Sequence, residues 1–173
     1  AADIRAERAR LALAEGDPVR LAAVRAHLGE PYRTPLGHVR HELGPWYWAV
    51  RVEYSTDLES FRSMFGDERR SYPEALAAHY ATPDDGSWRP THITNYAAAH
   101  PWEDFAETFA HYLHLTDTLE SAVAHAMMAP SDPGSPFDQL YVQWIDLTTT
   151  LNELTRSMGV PDAYPFAPSP AAV

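Results

Sequence analysis

With 173 residues and no cysteine, the chain has room for one hydrophobic core and no means of building a disulfide scaffold, a thiolate zinc site or an iron–sulfur cluster. All 13 basic residues are arginine, which excludes Schiff-base and phosphate-loop lysines, and no glycine-rich nucleotide fingerprint occurs. A net charge of −11 opposes a sequence-independent hold on nucleic acid, and no run approaches the roughly 20 apolar residues of a membrane span.

Residues 1–15 alternate charge with alanine and leucine and form no secretory h-region, so a cytoplasmic location is expected. Ile4, Leu11 and Leu13 lie at helical spacing, with Gly16 as a stop. Asp17 and Pro18 open a second short helix through Leu21, Val24 and Leu28. Thr34 and Pro35 repeat that grammar for a third, which carries His38, His41 and Glu42 and reaches about Tyr54 through Trp46, Tyr47 and Trp48. Helices follow from Asp57 to Phe65, stopped by Gly66, and from Pro73 to Tyr80. Pro83, Asp84, Asp85 and Gly86 mark a loop from Thr82 to Trp88, and Thr91 to Ala97 reads as a helical turn or an extended piece.

Pro101 opens a strong helix from about Trp102 to Leu115, and helix signals resume from Asp117 to Met128. A loop with three prolines, 129–136, separates it from the longest periodic run, Phe137 to Met158, which Gly159 ends. Residues 160–173 hold four prolines and are expected to lie extended on the surface or trail free. No period-two strand is evident. The expected fold is mainly α, a helical domain over 1–159 followed by a proline-rich tail, 160–173.

Two helices place unusual polar residues on surfaces that should face a core. One carries His38, His41 and Glu42; the other carries Glu103, Asp104, Glu107, His111 and His114 after His100. Residues three or four apart share a helix face, so His38 and His41 project together, as do Glu103, Glu107 and His111. Imidazoles and carboxylates meeting at one point suit zinc. The same acidic residues near a helix start also complement the helix dipole. His27, His79, His114 and His125 read as ordinary hydrogen-bonded or solvent-facing histidines, and the Trp46–Trp48 run reads as core packing.

The stretches GEPYRTPLGHVRHELGPWYW, FRSMFGDERRSYPEALAAHY, NYAAAHPWEDFAETFAHYLHLTDTLE and LNELTRSMGVPDAYPF resemble, in order and in one register, the bacterial zinc-binding metallopeptidase family, a zincin-like group. That resemblance implies a single zincin-like domain built around an HExxH helix and an EDFAE helix. It also implies zinc as cofactor and a peptide or protein as substrate. In the family, the two histidines of HExxH bind the metal and the glutamate activates metal-bound water. Carried over, His41 matches the first ligand and Glu42 the general base. Similarity to gluzincins makes Glu103 the third ligand, with Glu107 and His111 behind the ligands as orienting groups.

The second histidine position is Pro45. Proline in a helix interior removes the hydrogen bond to the carbonyl four residues back, here that of His41, so the helix is expected to bend or end beside the site. His38, His92 or His100 could replace the lost ligand. Three readings follow: a zinc hydrolase with a degenerate or rewired site, a non-catalytic pseudopeptidase that binds a peptide or protein, and a scaffold turned to metal-free acid–base chemistry.

Overall fold

A computed structural model describes residues 34–132, 134–166 and 168, and the two expected N-terminal helices, with His27, lie outside them. Among the described residues the architecture is mainly α, with no strand. The helices are α1 (Pro35–Arg51), α2 (Leu58–Phe65), α3 (Tyr72–Ala81), α4 (Pro101–Ala124) and α5 (Phe137–Ser157), with a 3-10 turn at Ala97–Ala99. Contacts divide the chain into two compact units, one holding the described residues up to Ala110 and the other His111–Phe166. Helix α4 contributes to both.

Helix α1 starts as its sequence dictates. Thr34 is extended, its Oγ1 accepts from the Gly37 amide at 2.9 Å, and Pro35 opens the first turn. Of the two outcomes expected at Pro45, a bend or an end, the end does not occur: the helix continues to Arg51. Packing supplies the reason. Beyond Pro45, Trp48 and Val52 are buried in a cluster with Phe61, flanked by Leu58, Phe65, Trp102 and Phe105. Trp48 meets Phe61 and Trp102 edge-on at 5.7 and 5.9 Å. Burying two such side chains contributes about 1.5–3 kcal/mol each, enough to offset the roughly 3 kcal/mol penalty of an interior proline.

Helix α2 stops at Gly66, whose φ of 94° is a conformation glycine adopts without strain. Just beyond, the buried Glu68 receives a two-pronged bond from Arg62, Nε to Oε2 at 2.9 Å and Nη2 to Oε1 at 2.6 Å. This pair fastens the following loop back onto α2.

The two helices expected on either side of Thr116 are one, α4. The Thr116 and Thr118 hydroxyls donate to the carbonyls of Tyr112 and His114 one turn back, so the Thr-Asp-Thr stretch satisfies its polar groups without leaving the helix. In the second unit Leu115, Leu119, Trp144 and Tyr164 form the core. The C-terminal segment runs without regular structure as far as Phe166, largely exposed but pinned at Tyr164. Tyr164 is 6% exposed, and the Asn152 side chain binds its carbonyl at 2.7 Å and its amide at 2.9 Å. No helix among the described residues is long and apolar enough to cross a membrane.

Candidate functional site

The site lies in the first unit, where α1 crosses the start of α4. At the crossing Gly44 faces Ala106 so closely that a Cβ on Gly44 would stand 2.8 Å from the Ala106 Cα. One turn before Gly44 is His41; one turn before Ala106 is Glu103, and Glu107 follows it. The close approach therefore sets the imidazole between the two carboxylates.

His41 Nδ1 lies 2.7 Å from Glu107 Oε1 and Nε2 lies 3.1 Å from Glu103 Oε2. The three side chains are 15%, 18% and 5% exposed, so solvent screens them little. Burial alone would lower the His41 imidazole, but hydrogen bonds to Glu103 and Glu107, and their charges, outweigh it and push it up to about 10. The ring is thus an imidazolium at neutral pH, donating from both nitrogens.

Both carboxylates are anchored on their far side. Tyr72 at the start of α3 donates to Glu103 Oε1 through its hydroxyl. Thr94 Oγ1 donates to Glu107 Oε2 at 2.8 Å and also accepts from the Ala97 amide at 3.0 Å. Tyr96 covers the His41 ring at 6.0 Å between centroids. Burial, then the nearby Glu103 charge, holds the Tyr96 phenol well above its ordinary range, so it remains a neutral hydroxyl.

Other sequence-derived residues sit elsewhere. Glu42 is 23% exposed, with its Oε1 3.9 Å from His38 Nε2. His92 Nδ1 lies 2.9 Å from Thr91 Oγ1, and its Nε2 is 3.7 Å from Asp104. Burial lowers His92, and burial, aided by the Glu107 charge, raises Asp104 to about 7. His100 is fully buried and caps α4: its Nδ1 accepts from the Trp102 amide at 3.2 Å, so its Nε2 carries the proton and donates to the Arg70 carbonyl at 3.2 Å. Both nitrogens of His100 are engaged. His111, in the second unit, has Nδ1 2.6 Å from the Tyr164 hydroxyl.

Sequence reasoning did not single out Tyr72, Thr94 or Tyr96 as partners of the site. Tyr72 and Thr94 come from loop-flanked segments whose spacing to Glu103 and Glu107 carries no periodic signal. Asp104 was legible only as an acidic neighbour of Glu103.

A zinc shell has a definite test here. Two ligands about 2.0 Å from a tetrahedral zinc stand about 3.3 Å apart. His41 Nε2 and Glu103 Oε2, at 3.1 Å, match one edge of such a tetrahedron, and Glu107 on Nδ1 occupies the orienting position. The match stops there. Among the described residues no three His, Asp or Glu side chains form a group that could hold a metal ion, and Pro45 offers no donor. The donor set does not fit a complete zinc centre.

Residues 8–173 match the model of a family described as "Putative zinc-binding metallo-peptidase". The chain belongs to this family. Uncharacterized proteins of Mycobacterium bovis and of two Mycobacterium tuberculosis strains are 42% identical to it over 172 residues. The match covers 94% of this chain and 50% of theirs, so the chain spans about half the length of the curated relatives it matches. No solved structure matches.

Proposed function

We propose that this chain is a degenerate member of the metallopeptidase family, in which a proton on His41 holds the two carboxylates that a metal would otherwise organise, and that it binds a peptide segment rather than cutting it. One observation carries the reading. The imidazole is bonded on both nitrogens to Glu103 and Glu107, while position 45, one helical turn on, is proline. The arrangement is complete without a metal: each carboxylate has a second partner, in Tyr72 or Thr94, and the +1 charge of His41 offsets part of the two negative charges. Peptide binding is supported by family membership and by a cleft lined in part by Thr91, His92, Asn95 and Ala98, which alternate with the Thr94 and Tyr96 of the site.

A second reading is a rewired zinc hydrolase, with Glu42 as base and a replacement ligand from His38, His92 or His100. The 3.1 Å spacing of His41 Nε2 and Glu103 Oε2 favours it.

Zinc titration of the wild type and Pro45→His, by calorimetry on protein freed of metal, separates the two. The wild type is expected to show no stoichiometric site of micromolar affinity or better. Pro45→His, with a second imidazole one turn from His41, is expected to gain one. Stoichiometric zinc in the wild type, lost on His41→Ala, would overturn the degenerate reading in favour of the rewired one.

A further inference from the structure

Helix α1 is apolar on two sides. Gly44 faces α4 and Trp48 the cluster around Phe61, whereas Leu36, Leu43, Trp46 and Val50 follow the i, i+7, i+10, i+14 spacing of a second stripe. At 3.6 residues per turn, that stripe is centred about 135° around the helix from the Gly44 and Trp48 side. Its four side chains are 42–61% exposed, and Tyr54, just past the helix, is 86% exposed. They leave on the order of 400 Å² of apolar surface open, the size at which such a patch marks a contact.

The occupant follows from what the chain brings to this place. Residues 1–33 end at Thr34, the cap of α1. Within them Leu21, Val24 and Leu28 recur at i, i+3, i+7, between the start signal of Asp17 and Pro18 and the stop at Gly29. Only the six residues 29–34 separate this run from Pro35, a connection length that makes consecutive helices antiparallel neighbours. Folding the chain back about that turn sets Leu28 level with Leu36 and Leu21 level with Leu43. Because α4 already occupies one side of α1, the open stripe is where an apolar seam can be buried. Charge agrees: residues 1–33 hold six arginines against five Asp and Glu, a net +1, which leaves −12 of the total −11 on the rest of the chain. Tethering through a short loop also gives the segment a millimolar effective concentration, which places it ahead of a second copy of the chain.

We infer that the outer stripe of α1 is the docking face for residues 18–28 of the same chain, laid on it as an antiparallel helix with Leu28 on Leu36 and Leu21 on Leu43. The segment then backs the helix that carries His41 from the side away from α4. The assignment is independent of whether the His41 site takes a metal.

The chain has no cysteine, so an introduced pair reports on itself alone. In the whole chain, Leu21→Cys with Leu43→Cys is expected to form an intramolecular disulfide under diamide at least tenfold faster than Leu21→Cys with Met64→Cys, whose second position is exposed on α2. Hydrogen exchange on the unaltered chain should show the amides of 18–28 slowed at least tenfold relative to an unstructured peptide. The double variant Leu36→Glu, Leu43→Glu should lose that protection while the amides of α4 keep theirs. Equal rates for the two cysteine pairs, unprotected amides in 18–28, or protection unchanged in the double variant would each overturn the assignment. Disulfide-linked dimers from Leu43→Cys alone at micromolar protein would also overturn it, and would give the stripe to a second copy.

Discussion

Replacing Gly44 by alanine probes the contact that builds the site. The new Cβ would lie 2.8 Å from the Ala106 Cα and 3.3 Å from its Cβ, whereas carbon atoms rest about 3.5–4.0 Å apart. Because the nearer atom is backbone, no rotamer change relieves the clash, and α1 and α4 must part by about 1 Å. Overpacking of this kind costs about 1–3 kcal/mol, and alanine returns about 1 kcal/mol as the better helix former. The separation also stretches the 2.7 Å bond from His41 to Glu107 beyond hydrogen-bond range, removing part of a charge-assisted bond of about 1.5–3 kcal/mol. The expected net loss is about 2–4 kcal/mol, or roughly 5–15 °C in melting temperature for a chain of this size. Urea denaturation gives the free energy directly. Adding Ala106→Gly should recover less than half of the loss, since it removes the 3.3 Å contact and leaves the 2.8 Å one. A stabilised or unchanged Gly44→Ala would refute the close crossing and, with it, the account of how His41 reaches its carboxylates.

Three further expectations concern charge. The raised His41 group contributes stability that is fully present below its unfolded value of about 6.5 and is lost as pH rises through about 10. Urea midpoints should therefore decline between those pH values in the wild type, and the decline should flatten in His41→Leu; parallel curves would exclude the doubly bonded imidazolium. The Glu68 carboxyl is held below its ordinary value of about 4.5, chiefly by its bond to Arg62. Its contribution is present above about pH 4.5 and disappears as pH falls through the depressed value, so Glu68→Gln should be less sensitive to acid than the wild type in the same assay. Arg62→Met, which leaves the buried carboxylate unpaired, should lose about 2–3 kcal/mol at pH 7, and a loss under about 0.5 kcal/mol would assign the pair to the solvated surface.

Much of the helical layout was legible because its signals are local. Thr34 with Pro35, Gly66 and Gly159 announce a helix start and two stops through their own backbone preferences, which need no tertiary partner. The pairing of His41 with Glu103 and Glu107 was legible in part, since helical spacing puts the two carboxylates on one face and the resemblance supplied the partner helix. Three things were not. Pro45 left open in the sequence whether α1 would bend or end there, and the burial of Trp48 and Val52, a property of helices brought together from distant parts of the chain, carries it on to Arg51. The prolines around Tyr164 suggested a segment extended on the surface or trailing free, but the Trp144 indole packs on the Tyr164 ring and the Asn152 side chain binds its backbone. Position also offered His100 as a ligand, whereas its Nδ1 closes the start of α4 and its Nε2 donates to the Arg70 carbonyl.

The sequence by itself therefore determined which helices form and which of them carry the clustered histidines and carboxylates, because composition, caps and periodicity are written within a few residues. Only the tertiary structure decided that Tyr72 and Thr94 would hold the two carboxylates, that His41 would be bonded on both sides, and that a cleft would open beside it. Those outcomes depend on the approach of α1 to α4 at Gly44 and on where the loops return, distances that no local pattern encodes.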